Sequence, residues 1–260
     1  VKKTSDNLFE WLQSEFGDQV CKYFLFPYNE KVWKMDLKNI SINWISRVST
    51  GSLKFLKGLF FAGDQNYASN EYVCYPDKGG FENLFIEKTK LVEGSIRLGC
   101  EIVEINLDDK CAITKDGSIF QYKCLISTLP VDLLFRKLLT KKDDRMLDLT
   151  NQLEKVSACL VTFLITKNSS EIQRIYIPDS KYLAQRVILN SNSSQSLKEQ
   201  NQSVVSLEIS YRSKNELLPA QQIIDNCKKL LKDLKLIESD SDIEEYRIEL
   251  VEYMYPTQTL

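Results

Sequence analysis

The residues best equipped for chemistry in this chain are aromatics, amides and arginines rather than proton-transfer groups. The run Phe24-Leu25-Phe26-Pro27-Tyr28-Asn29-Glu30-Lys31-Val32-Trp33 sets aromatic rings, an amide and a cation close together, and Trp44-Ile45-Ser46-Arg47-Val48 follows it. A plain core helix would carry Leu, Ile and Val in such a run. Rings offer faces for stacking, an amide reads a polar edge, and a guanidinium fork pairs with an anion, so the mixture points to binding. Pro27 fixes its own φ and disfavours the α region for Phe26, which places Tyr28, Asn29 and Lys31 on an expected turn. Turns on a rigid scaffold are where binding side chains collect. The bland alternative is a Trp/Tyr cluster filling an irregular core, with Trp33 and Trp44 as packing and the arginines as ordinary ion-pair partners.

Histidine is absent from the sequence. That removes imidazole metal ligands and every Ser-His-Asp or Cys-His mechanism, and no residue is assigned a catalytic role. The seven cysteines are scattered with no CxxC pair, so no metal site is expected, and the odd count fits reduced thiols in a cytoplasmic protein. Apolar residues make up 43%, charged residues 27%, and the net charge is −2. This is the composition of a globular chain with no general attraction to nucleic acid. Neither a signal peptide nor an apolar run of about 18 residues is present, so no membrane span is expected. The chain opens on Val1 and stops in Tyr253-Met254-Tyr255-Pro256-Thr257-Gln258-Thr259-Leu260, and both ends read as cut.

The elements that must position these residues follow from periodicity. Thr4, Ser5 and Asp6 are N-cap candidates for an amphipathic helix through Leu8, Trp11, Leu12 and Phe16, closed by Gly17. A second helical stretch, 19–26, leads to the Pro27 turn. Ile40, Ile42, Trp44 and Ile45 suggest a short helix that returns Arg47 towards it, and residues 53–61 form a compact apolar stretch. Gly79-Gly80 opens a helix through Phe81, Leu84, Phe85, Lys88 and Val92; a glycine pair there admits a close backbone approach and its N–H groups favour anions. From Ser95 the period changes to two, with strands over 96–98, 101–107, 111–114 and 119–122, a buried strand over 124–130, and a Pro-started helix over 131–139. A polar helix at 144–155 precedes strands at 157–166, 174–177, 184–189 and 203–211, a polar loop at 190–202, a helix at 220–234 and a last strand at 243–253.

The run PYNEKVW, Arg47-Val48 and the Tyr75-Pro76-Asp77-Lys78-Gly79-Gly80 turn resemble the UDP-galactopyranose mutases and their relatives among the amine-oxidase and protoporphyrinogen-oxidase type flavoproteins. The hairpin ending at Asp116-Gly117, the Thr128-Leu129-Pro130 strand end, and Tyr176 followed by Arg186 extend the likeness in the family's order. The resemblance implies an α+β or α/β fold, a fragment of a two-dinucleotide-binding-type flavoprotein with a helical substrate-binding part and an antiparallel sheet. The GxGxxG turn of the N-terminal Rossmann βαβ unit is missing. On this basis 1–68 is a helical substrate-binding segment, 69–140 an FAD-domain segment, and 141–260 a substrate-domain sheet with helices.

Carried over residue by residue, the resemblance implies that Phe24 stacks on a uracil, Asn29 bonds its edge, and Tyr28 and Trp33 line the nucleotide pocket. It further implies that Arg47, Tyr176 and Arg186 meet the diphosphate, and that Asn70 reaches the phosphate or sugar. Gly79, Gly80, Ile102, Thr128, Leu129 and Pro130 fall on FAD-contacting positions. The implied cofactor is FAD, the implied partner a UDP-sugar, and the implied reaction a flavin-mediated interconversion of pyranose and furanose forms in cell-surface polysaccharide biosynthesis. Two alternatives stand beside it: an oxidase of the same superfamily, and a non-catalytic module derived from one. By itself the fragment is expected neither to hold FAD nor to turn over.

Overall fold

A computed structural model describes residues 5–45, 74–76, 80–92, 94–141, 143–166, 170–193 and 195–259. Arg47, Asn70, Gly79 and the 53–61 stretch lie outside them. In chain order the main elements are α1 (Leu8–Val20), α2 (Phe26–Trp33), α3 (Asn83–Thr89), strands β1 (Ile102–Asn106), β2 (Cys111–Thr114) and β3 (Ile119–Gln121), then α4 (Asp144–Asn151). Strands β4 (Glu154–Thr166), β5 (Arg174–Tyr176), β6 (Arg186–Leu189) and β7 (Gln202–Tyr211), helix α5 (Ala220–Asp233) and strand β8 (Ile243–Thr257) complete them. The architecture is α+β. The chain divides into two compact units, one of residues 1–83 and 155–260 and one of residues 84–154.

The larger unit is built on a sheet of order β5-β6-β7-β4-β8. Pairing is antiparallel between β5 and β6, β6 and β7, and β7 and β4, with Val161 opposite Leu207 and Phe163 opposite Val205. Side chains alternate along a strand, so Cys159, Val161, Phe163 and Ile165 share one face with Val205, Leu207 and Ile209. They form one core with Ile223, Ile224, Cys227, Leu230 and Leu231 of α5, whose apolar residues recur at helical spacing. Period-two reading therefore recovers these strands to within a few residues at each end.

A second core joins Leu8, Leu12, Cys21, Leu37, Ile40 and Ile45, with Trp33 and Trp44 packed partly against it. The cap of α1 is Asn7, whose side chain accepts from Glu10 N–H at 2.9 Å, rather than Thr4, Ser5 or Asp6. Gly17 breaks this helix at φ +76°, where a side chain would be strained. Residues 40–44 do not form a helix: Ile40 bridges Thr259, Ser41 bridges Asn7, and the chain then turns, with 3-10 winding only at Ile45.

The Pro27 turn is also corrected. Residues 21–33 are continuously helical, and Pro27 sits at the start of α2, with Tyr28, Asn29 and Lys31 inside the helix. Two features reconcile proline with this. Proline is at home in a first helical turn, and the preceding Cys21–Leu25 turn is π-wound, a wider turn with bonds shifted by one residue. Phe26 N–H accordingly donates to the carbonyl of Cys21. Phe26 keeps α-region angles in spite of the proline that follows. The polar 190–202 segment carries two short helical turns, Asn190–Ser193 and Gln195–Lys198.

The smaller unit carries a three-stranded antiparallel sheet, β1-β2-β3. Its small core joins Ile105, Ala112, Leu138 and Leu139. Two expected strands, 96–98 and 124–130, are absent: Leu98 is 89% and Ile126 86% exposed, and neither stretch pairs with a strand among the described residues. A strand is held by its neighbours' hydrogen bonds, so an apolar run without a partner stays irregular.

The Phe163 side chain is fully buried in the main core, so Phe163→Ala should lower unfolding free energy by about 3–5 kcal/mol. The shift should appear in the midpoint of urea denaturation, with little change in slope.

Candidate functional site

Leu207 and Ile209 face α5, so Ser206, Glu208 and Ser210 of β7 face the opposite side of the sheet. Arg186 on β6 is the direct cross-strand partner of Glu208. Arg186 Nε donates to Glu208 Oε2 at 2.9 Å and Nη2 to the same oxygen at 2.5 Å, while Nη2 also donates to the Tyr255 hydroxyl at 3.2 Å. Side-chain exposure is only 18% for Arg186 and 7% for Glu208. Burial works against the arginine's charge, but Glu208 and then Tyr255 outweigh it and hold its pKa above the ordinary arginine value.

Above this pair lies a cleft of about 260 Å³ walled by Tyr28, Val32 and Trp33 of α2, by Trp44, and by Gln185, Arg186 and Tyr255. Trp33 lies 5.3 Å from Trp44 and 6.3 Å from Tyr255 between ring centroids. Tyr28 stacks nearly parallel on Phe24 at 5.7 Å and meets Tyr176 edge-on at 5.4 Å. Burial pushes the Tyr28 phenol up to about 12, against the pull of nearby Arg186, so Tyr28 is a neutral hydrogen-bonding group throughout the physiological range. The Trp44 indole N–H is buried and has no partner among the described residues.

The structure thus brings Phe24, Tyr28, Trp33, Tyr176 and Arg186 together. Asn29 stands differently: its Nδ2 donates to the Leu25 carbonyl at 2.8 Å and its Oδ1 accepts from Trp33 Nε1 at 3.3 Å. It braces the helix and orients Trp33, using the amide groups that a ligand edge would need. Both readings of Trp33 hold at once, since it packs on the helical core and lines the cleft. Sequence reasoning missed Tyr255, Trp44, Val32 and Gln185 as wall residues. Tyr255 carried a signal, an aromatic run at the end of β8 that returns beside β4.

The arrangement suits a planar ring held among aromatic walls beside hydrogen-bond donors. Arg186 and Glu208 cancel in charge, so an anion here would be met by directed N–H groups rather than by net positive charge. Of the positions expected to meet FAD, Gly80 belongs to one compact unit and Ile102, Thr128, Leu129 and Pro130 to the other. Gly80 has no described atom within 4 Å of the place a side chain would take, and Thr128 and Leu129 are exposed. No helix among the described residues is long and apolar enough to cross a membrane.

No protein-family model matches the chain. Among solved structures, it superposes on reduced UDP-galactopyranose mutase over 100% of its length, with a TM-score of 0.88 and 20% identity. The chain shares the fold of the matching part of that mutase. It is also similar to a protein from Exiguobacterium described as a protoporphyrinogen oxidase, with TM-score 0.68, 15% identity and 100% of this chain covered. Cyclohexylamine oxidase from Brevibacterium oxydans follows at 0.59, 8% and 95%. The chain spans 57%, 58% and 53% of these three proteins respectively. At such identities the likeness is one of fold, an α+β architecture shared with parts of the mutase and the oxidases.

Removing one partner of the buried pair strands the other. Glu208→Ala should therefore destabilise the chain by about 3–5 kcal/mol in denaturant unfolding, whereas the double variant Arg186→Met/Glu208→Leu should recover most of that loss.

Proposed function

We propose that the chain is the substrate-binding part of an FAD-dependent enzyme of the UDP-galactopyranose mutase kind, and that the cleft above Arg186 receives the uridine diphosphate portion of a UDP-hexose. The observation that carries this reading is Arg186 fixed by Glu208 and Tyr255 at the base of a cleft walled by Tyr28, Trp33 and Trp44. A base is planar and polarisable, so it is served by aromatic faces; a diphosphate is served by an oriented guanidinium. Phe24 and Tyr176 support Tyr28 from two sides and keep its ring in the wall. Arg47 and Asn70 are assigned to the diphosphate and sugar by the sequence resemblance. Gly79, Gly80, Ile102, Thr128, Leu129 and Pro130 are assigned to FAD only together with further segments of a longer parent protein.

The protein's own contribution in this reading is binding, orientation and exclusion of water. Aromatic walls displace solvent from the diphosphate, and hydrogen bonds to Arg186 strengthen in the drier surroundings. FAD, when bound in the parent, supplies the chemistry that side chains here do not. The same fold in oxidases makes an oxidase the reading to be tested against.

Titration calorimetry with UDP on the full-length protein decides between them. The fold-preserving double variant Arg186→Met/Glu208→Leu should lose about 1.5–3 kcal/mol of UDP binding, on the order of 10- to 150-fold in Kd. UMP, lacking the second phosphate, should bind the wild type more weakly and feel the substitution less. An unchanged UDP affinity in that variant would remove the cleft as a nucleotide site and favour the oxidase.

A further inference from the structure

Lys31 lies one turn after Tyr28 on α2 and reaches across to the connection between β5 and β6. Its ammonium donates to the backbone carbonyls of Ile177 at 2.9 Å, Asp179 at 3.0 Å and Ala184 at 2.7 Å. An ammonium has three N–H donors and no acceptor, so all three are used. The carbonyls come from both ends of one connection, 177–184, which begins next to Tyr176 and ends next to Gln185 and Arg186. The Asp179 carboxylate is engaged elsewhere, with Lys181 at 3.3 Å. Lys31 is therefore seated in backbone rather than paired with a mobile carboxylate.

The other side of the same connection is fixed to α5. Leu183 N–H donates to Asn226 Oδ1 at 2.8 Å, Asn226 Nδ2 donates to the Lys181 carbonyl at 3.0 Å, and the Tyr182 hydroxyl donates to Asp233. The connection thus has an anchored face towards the core and a face held to α2 by Lys31. The helix carries Tyr28, Val32 and Trp33 into one wall of the cleft, and the connection delivers Gln185 and Arg186 to another.

We propose that Lys31 is a positioning residue, seated in three carbonyls so that the helical wall and the β5–β6 wall keep a fixed gap for the ligand. It acts through Tyr28 and Trp33 on its own helix and through Tyr176 and Arg186 on the strands. This deepens the nucleotide reading and rests on it only for the ligand used as a probe.

The charged groups facing Lys31 are Lys34 at the end of α2 and Asp179 in the connection. Burial, and then Lys34, push its pKa down from 10.5 to about 8, with Asp179 opposing. The three carbonyls hold the charged form against that burial, because a neutral amine would keep only two N–H donors and turn a lone pair towards the third oxygen.

Hydrogen exchange by mass spectrometry on the full-length protein at about pH 7 tests this. Lys31→Met should speed exchange in residues 26–34 and 177–185 by about tenfold while β4 and β7 stay unchanged. It should also raise the Kd for UDP about fivefold or more. Unchanged exchange in both segments, or equal loosening across β4 and β7, overturns the proposal. Should Lys31→Met fail to fold, Lys31→Gln, which keeps amide N–H donors but shortens the reach, is read by the same criteria: faster exchange confined to 26–34 and 177–185 supports the seat, and no change there overturns it. Unaltered exchange with UDP still bound refutes the positioning role alone, whereas a confirmed seat in a protein that never binds UDP refutes the nucleotide reading alone.

Discussion

The buried pair of Arg186 and Glu208 is the constraint around which the larger unit is arranged. Two charges placed directly across neighbouring strands and largely withdrawn from water must satisfy each other, because neither has solvent to fall back on. Tyr255 adds a hydroxyl from the last strand, so three strands of one sheet converge on a single guanidinium. The opposite face of the same strands is largely apolar and packs on α5. One sheet therefore separates a dry core from a polar floor, and α2 covers that floor without filling it.

That division explains why the cleft is aromatic rather than highly charged. Its floor is electrically balanced, so in the proposed reading selectivity for an anion falls to the direction of a few N–H groups instead of a broad positive field. Rigid rings then hold those groups in place with little conformational freedom to lose. Asn29 shows how much of the wall is devoted to orientation: its amide ties the helix backbone to the Trp33 indole.

Much of the larger unit was legible from residue order. Alternation in Val161, Phe163 and Ile165, and again in Val205, Leu207 and Ile209, marks half-buried strands, and the helical spacing of Ile223, Cys227, Leu230 and Leu231 marks α5. The SLEIS run of β7 even displays its two faces, with Glu208 where a buried carboxylate must have a partner. What failed was local. Pro27 reads as a turn because proline usually ends a helix, and only the π-wound turn before it makes room for continuation. The 124–130 run reads as a strand because it is apolar, but apolarity does not supply a neighbour to bond with. Tyr255 escaped notice because its role depends on a strand pairing across the sheet, which no local pattern encodes.

The Cys21–Leu25 turn has a bearing beyond the accommodation of proline. A π-wound turn holds one residue more than its α-helical counterpart, and each residue advances a helix by about 100° around its axis. The extra residue is taken up within that one widened turn, so removing it would return the stretch to α winding, leave Tyr28, Lys31 and Trp33 near their present flank, and take away the room that lets Pro27 continue the helix. The same turn carries Phe24 against Tyr28, so its winding bears on the cleft wall as well as on the proline.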